Sequence, residues 1–206
     1  MAEFSDFLQI QTGTAWGRTL ADFAQWCAPS DGERLLDLGC GPGLLPALFA
    51  RIGGCRAFGL DNDFSLLADA RLFGLSSVIG GDLYRLPFAP ASFDVLTSTN
   101  VIFLLGDPLR ALRECQRVLR AGGRLALLNP SEKLTVQAAT SLADARGLEG
   151  KNRQSLLGWA ARAEKYGGWS EESASLLLKK AGFEVIQSEL RVGPGFARLV
   201  KAQKQA

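Results

Sequence analysis

Three acidic residues and one glycine-rich stretch carry the chemical content of this chain. The stretch reads Leu35-Leu-Asp37-Leu-Gly39-Cys40-Gly41-Pro-Gly43-Leu-Leu45, and the later acids are Asp61 and Asp82. Gly39, Gly41 and Gly43 can take backbone angles that other residues avoid, and they let a ligand approach the main chain. A dinucleotide fingerprint counted from Gly39 requires Gly or Ala at position 44, where this chain has Leu44. Asp37 also stands where a phosphate would lie. At about 4 Å and an effective dielectric near 20, like charges repel by about 4 kcal/mol. Asp37 suits instead a cationic group, such as an amino-acid ammonium.

The other two acids extend the pattern. Asp61 lies about 20 residues past the loop, where an acid accepts hydrogen bonds from both ribose hydroxyls. Asp82, in Gly81-Asp82-Leu83, can accept from the exocyclic amine of an adenine. A ligand with an ammonium, a ribose and an adenine but no phosphate satisfies all three acids, and S-adenosylmethionine is such a ligand.

Composition narrows the chemistry further. The chain has 206 residues and no histidine. A Ser-His-Asp triad, a Cys-His pair and a His metal site are therefore excluded. Any general base must be a carboxylate, a Tyr, a Lys or a water. Cys27, Cys40, Cys55 and Cys115 form no CxxC pair, so no metal site is expected. The net charge of +2 gives no reason to expect a nucleic-acid partner. The acidic start, Met1-Ala-Glu-Phe-Ser-Asp6, lacks the features of a signal peptide. Asp37 interrupts the longest apolar run, so no membrane span is expected. Together these features predict a cytoplasmic chain with reduced thiols.

These residues must be positioned by alternating strands and helices. Strands are predicted at Arg34–Leu38, Arg56–Leu60, Ser77–Ile79, Phe93–Ser98 and Arg124–Asn129. Helices are predicted from Leu44 to Arg51 and from Phe64 to Phe73. A third begins at the N-cap Asp107 with Pro108 in its first turn, and Gly122-Gly123 is expected to stop it. A fourth opens at Ser170 and closes at Gly182. Phe183–Leu190 and Phe196–Gln203 are two further strands. The Arg191–Gly195 link is too short for a parallel crossover, so they form an antiparallel hairpin. The fold class is α/β: a Rossmann-like, doubly wound, mostly parallel seven-stranded sheet with an antiparallel C-terminal hairpin and helices on both faces. Residues 1–206 read as a single domain. Residues 1–30, with Phe4, Phe7, Trp16, Phe23 and Trp26, form an N-terminal helical cap, and residues 131–169 form an insertion over the substrate side.

These motifs resemble class I S-adenosylmethionine-dependent methyltransferases, especially the small-molecule branch that includes ubiquinone/menaquinone-biosynthesis C-methyltransferases. The resemblance covers roughly residues 30–130. Leu35–Gly43 matches the family's first motif, and Gly59-Leu-Asp61 its acidic ribose motif. Gly81-Asp82-Leu83 with Leu86-Pro87-Phe88 and Ser92-Phe93-Asp94 resembles the adenine loop and fourth strand. Arg113-Glu114 and Val118–Arg124 resemble the following helix and its glycine turn. The resemblance implies that Asp37 and the Gly39-Cys40-Gly41-Pro42-Gly43 main chain hold the methionine part. It implies that Asp61 holds the ribose and Asn62 flanks the adenine. Gly81, Asp82 and the Leu83 amide would read the adenine, and the Thr99 backbone would lie near the ammonium. One departure is that Val101–Leu105 replaces a His or aromatic pair found in many relatives.

Each acid also has a plainer reading. Asp37 could be a solvated strand end, Asp82 could start a turn, and Asp63 is a better helix cap than Asp61. Asp94 and Glu114 read as structural, and the Cys40 side chain as packing. The predicted activity is methyl transfer to a small, apolar or aromatic acceptor, with S-adenosylhomocysteine as the product. Trp16, Phe103, Trp159, Tyr166 and Trp169 are candidate wall residues. Tyr84, Tyr166 or a carboxylate are unranked candidates for a base, and no catalytic residue is assigned. The alternatives are a nicotinamide-dependent oxidoreductase, a methyltransferase acting on RNA or protein, and a non-catalytic S-adenosylmethionine-binding protein.

Overall fold

The computed structural model describes residues 6–74 and 77–205; Phe4 and the side chain of Phe7 lie outside the described residues. Two helices open the chain, α1 (Asp6–Gly13) and α2 (Trp16–Cys27). Leu20, Phe23, Ala24 and Cys27 of α2 recur at helical spacing and are buried. The strands are β1 (Arg34–Leu38), β2 (Arg56–Asp61), β3 (Val78–Gly80), β4 (Phe93–Thr99), β5 (Leu119–Pro130), β6 (Phe183–Arg191) and β7 (Ala197–Lys204). The remaining helices are α3 (Leu44–Gly53), α4 (Phe64–Leu67), α5 (Pro108–Val118), α6 (Val136–Ala145), α7 (Gly150–Tyr166) and α8 (Glu171–Lys180).

All seven strands form one sheet in the order β3-β2-β1-β4-β5-β7-β6. β1 to β5 are parallel neighbours, while β7 runs antiparallel between β5 and β6. The strand order reverses between β1 and β4, and ligands of open α/β sheets bind beside that switch at the strand C-termini. One face of the sheet buries Leu112, Cys115 and Leu178 from α5 and α8. The other buries Phe23, Phe49, Ala139 and Trp159 from α2, α3, α6 and α7. Both faces are covered, as parallel strands require.

Two predicted boundaries are corrected. The single helix expected over Phe64–Phe73 is the short α4 followed by a tighter 3-10 segment, Ala68–Phe73. The apolar residues Leu67, Ala70 and Phe73 are spaced by three, a period that the tighter helix satisfies. Secondly, α5 ends at Val118, before the glycine pair. Leu119 is already extended and pairs with Phe93 of β4. Gly122 (φ +71°) instead serves the register shift between Phe93 and Val95. A Cβ on Gly123 would lie 2.9 Å from the Arg120 carbonyl oxygen.

The caps follow their sequence signals. Asp107 accepts from the Arg110 N–H at 3.0 Å, and Ser170 and Ser173 exchange bonds as a capping box. Residues 131–169 supply α6 and α7. Their small residues Ala139, Ala143, Ala160 and Ala163 are buried, while Arg153 pairs with Asp144 at the surface. No described helix is long and apolar enough to cross a membrane.

Candidate functional site

The glycine loop leaves β1 at Leu38 and enters α3 at Leu44, with Gly43 (φ +89°) as the cap residue. It folds over the tip of β2, where Gly39 and Cys40 both donate N–H bonds to the Leu60 carbonyl, at 2.7 and 3.0 Å. Gly39 has φ +72°, and a Cβ there would collide with the Val101 side chain. Conformation and close contact both demand glycine at this position. Above Gly41 the space is open: the one described atom within 4 Å of a Cβ built there is Gln11 Nε2 at 3.9 Å. The Cys40 side chain turns away and covers Gly59, where a Cβ would lie 2.7 Å from Sγ. Burial pushes the Cys40 thiol well above its ordinary range.

Asp37 and Asp61 flank this loop and are both buried. Asp61 Oδ2 accepts from the Gly41 N–H at 2.8 Å, and its Oδ1 from the Asp63 N–H at 2.9 Å. Each carboxylate oxygen has two lone pairs, so each keeps capacity for a ribose hydroxyl. Asp61 thus fastens the loop as well as offering acceptors, a role that sequence spacing did not reveal. Asp63, not Asp61, caps α4 by accepting from the Ser65 N–H at 2.9 Å.

Asp37 is held differently. Its Oδ1 accepts from the Thr97 hydroxyl at 2.7 Å, a contact between residues 60 apart in the chain. Burial pushes its pKa up to about 7; the Thr97 bond opposes this and the Asp61 charge adds to it. A buried carboxylate with a hydroxyl partner favours a cationic ligand, which restores the stability of its ionised form.

The third strand tip lies beside the second, because Gly81 N–H donates to the Asp61 carbonyl at 3.0 Å. Asp82 is exposed and starts a turn: its Oδ1 accepts from the Tyr84 N–H at 2.9 Å and its carbonyl from the Arg85 N–H at 3.0 Å. Leu83 is buried and Asn62 is exposed. The loop from 84 to 88 is pinned from α5. Glu114 accepts from the Leu86 N–H at 2.8 Å, and Arg117 donates to the carbonyls of Phe88 and Leu86. The Arg117 hydrogen bond holds the Glu114 carboxyl below its ordinary range. Asp94 accepts from the Arg34 N–H at 2.7 Å and pairs with Arg120. Both acids are structural, as their sequence context suggested.

Thr99 ends β4 opposite Leu128. Asn100 follows with φ +57°, a left-handed conformation that asparagine tolerates. Its Oδ1 accepts from Trp159 Nε1 at 3.0 Å, which ties α7 to the β4 tip. The Trp16 ring lies 5.7 Å from that of Trp159, and Phe103 meets Tyr166 edge-on at 6.4 Å. Trp169 sits in the core on the opposite face, with α5 and α8. The Tyr84 hydroxyl accepts from the Asp107 N–H at 3.1 Å, a structural use. Among the described residues, no group of three or more His, Cys, Asp or Glu could hold a metal.

The buried acids, the bare glycine cradle and the tip beside Gly81 fit an amino-acid-bearing nucleoside without phosphate. Comparison with known proteins agrees. A family profile described as a methyltransferase domain matches residues 36–127. A methyltransferase-named protein of Encephalitozoon cuniculi is 30% identical over 176 residues, 81% of this chain and 78% of that one. The ubiquinone/menaquinone biosynthesis C-methyltransferase of Roseobacter denitrificans is 34% identical over 136 residues, 62% of this chain. The chain spans 53% of that relative, and 32% of a 37.1 kDa transposon protein of Streptomyces fradiae that it also matches. Among solved structures, a Haloferax volcanii methyltransferase in complex with the activator Trm112 superposes with TM-score 0.75 at 19% identity, covering 99% of this chain and 96% of that one. A Galdieria sulphuraria structure described as a sarcosine dimethylglycine methyltransferase superposes with TM-score 0.67 at 16% identity, covering 91% of this chain and 86% of that one. The family and fold imply S-adenosylmethionine as the cofactor. The chain belongs to the methyltransferase-domain family, the class I S-adenosylmethionine-dependent methyltransferases.

Proposed function

We propose that this chain transfers a methyl group from S-adenosylmethionine to a small acceptor with an apolar or aromatic body. The observation that carries the cofactor half is the pair of buried acids around an open glycine loop. Asp37 would face the ammonium, Asp61 the ribose hydroxyls, Asn62 and the Gly81–Leu83 segment the adenine, and the Thr99 backbone the ammonium side. Gly39, Cys40, Gly41 and Gly43 contribute main chain. The acceptor half rests on two aromatic pairs, Trp16 on Trp159 and Phe103 on Tyr166, drawn from the N-terminal cap, the insertion and the Val101–Leu105 segment.

S-adenosylmethionine supplies a methyl already activated on a sulfonium. The chain's own task is then to align the acceptor in line and keep water out. Positioning of this kind contributes up to roughly 7–11 kcal/mol. Phe103 and Trp159 are buried and offer no base, whereas the Tyr166 hydroxyl belongs to an exposed residue beside Phe103. An acceptor that arrives deprotonated needs no base.

The test is a labelled-methyl assay across phenols, quinols, amines, protein and RNA, run beside a titration with S-adenosylhomocysteine. Labelling of a small aromatic acceptor is expected. Labelling of only protein or RNA would overturn the acceptor assignment, and tight S-adenosylhomocysteine binding with no labelled product would favour a binding protein. One observation favours a second reading, activity that depends on a protein partner. The Haloferax neighbour is solved with an activator, and here the large apolar residues Ile52, Phe64 and Leu72 are 47%, 74% and 61% exposed. Methylation that appears only when a cell extract is added would support it.

A further inference from the structure

Gln11 lies in the last turn of α1, outside residues 36–127 that match the family profile. Its Oε1 is buried and has no hydrogen-bond partner among the described residues. Its Nε2 is 3.9 Å from the Cβ position of Gly41, so the amide hangs over the centre of the glycine loop. From the other side, Asp61 Oδ2 holds the same Gly41 through its N–H.

The placement of Gln11 is built into the packing. Gly17 opens α2 against the Gln11 main chain, and a Cβ there would collide with the Gln11 carbonyl oxygen. The Ala15 N–H donates to Asn152 Oδ1 at 3.3 Å, and Trp16 packs on Trp159. Thus α2 and α7 together fix the end of α1 above the loop. A buried acceptor left without a donor is costly, and native structures rarely keep one without a reason.

The chemistry of the missing partner can be read from what is present. A primary amide offers one acceptor and one donor side by side. An α-amino acid end offers the complement: an ammonium that donates and a carboxylate that accepts. The nearby acids favour the cationic half of that pair, and the open space over Gly41 gives it room. We propose that Gln11 is a cofactor-binding residue that clamps the amino-acid end of S-adenosylmethionine against the glycine loop, with Oε1 accepting from the ammonium and Nε2 donating to the carboxylate. This inference rests on the methyltransferase reading. It makes the N-terminal cap part of the cofactor site.

The test is calorimetric titration of the full chain with two probes. S-adenosylhomocysteine carries the amino-acid end; 5′-methylthioadenosine keeps the nucleoside and thioether but lacks it. Gln11→Ala should weaken S-adenosylhomocysteine about tenfold and leave methylthioadenosine within about twofold. Gln11→Leu keeps the bulk of the side chain and should show the same split. Equal loss of both probes in both variants would mean that Gln11 only seats α1, and unchanged affinities would mean that it does not touch the ligand; either overturns the proposal. A wild-type chain that binds neither probe would overturn the methyltransferase reading with it, whereas failure of the split alone leaves that reading standing.

Discussion

The tips of β1 and β2 each carry a buried carboxylate beside the same loop, yet the fold holds the two in opposite ways. Asp61 accepts two main-chain N–H bonds, from Gly41 and Asp63, and so belongs to the loop's own architecture. Asp37 accepts one hydroxyl, from Thr97, and burial moves its pKa to about 7. Asp61 thus takes its donors from the main chain, whereas Asp37 takes one from a side chain and is ionised against the cost of burial. Similar strand-end positions thus give one acid that fastens the loop and one whose charge is poorly solvated, and partner geometry separates them.

Substitutions test this contrast. The largest effect is expected at Gly39, on which both acids depend through the loop. Gly39→Ala forces a side chain into φ +72° and into Val101, which costs about 1–3 kcal/mol in backbone strain alone. S-adenosylhomocysteine binding should fall below detection in calorimetry, with a lowered melting temperature. Next is Asp61→Ala, which orphans two N–H donors. Chemical denaturation should show a loss of about 1–3 kcal/mol, and affinity should drop roughly 10- to 100-fold.

Asp37→Asn should do the reverse to stability. A carboxyl whose folded pKa lies above its unfolded value contributes stability that is complete below the unfolded pKa and lost as pH rises through about 7. Removing that titration should stabilise the ligand-free chain at pH 8 by about 4 kcal/mol, with the gain vanishing toward pH 4, while cofactor affinity falls. Stability curves that move in the same direction for Asp37→Asn and Asp61→Ala would erase the contrast.

The pH dependence of binding follows from the same acid. A ligand ammonium needs Asp37 ionised, so wild-type affinity for S-adenosylhomocysteine should fall about tenfold from pH 8 to pH 6 and be flat in Asp37→Asn. The smallest effect is expected at a contact that neither acid makes. Trp159→Phe loses the bond to Asn100 and should cost about 1 kcal/mol in stability with little change in cofactor affinity.

The strands were legible because buried parallel strands are short apolar runs bounded by turn residues, and Arg34–Leu38 is read to the residue. The glycine loop and Asp61 were legible because their spacing is local and each type has a physical reason. The breaks at Ala68 and Val118 were not, since a three-residue period suits two helix types and a glycine pair serves a bulge as well as a cap. Thr97 on Asp37, Trp159 on Asn100 and Gln11 over Gly41 join residues about 30 to 60 apart. No local pattern announces such contacts; they exist only once the sheet has brought β1, β4 and the flanking helices together.

On this reading, the strand tips grip a phosphate-free nucleoside with a cationic amino-acid end. Parallel calorimetric titrations of the wild-type chain with S-adenosylhomocysteine and NAD test it most directly. One bound S-adenosylhomocysteine per chain and no heat with NAD are predicted; saturable NAD binding, or no binding of S-adenosylhomocysteine, would contradict it.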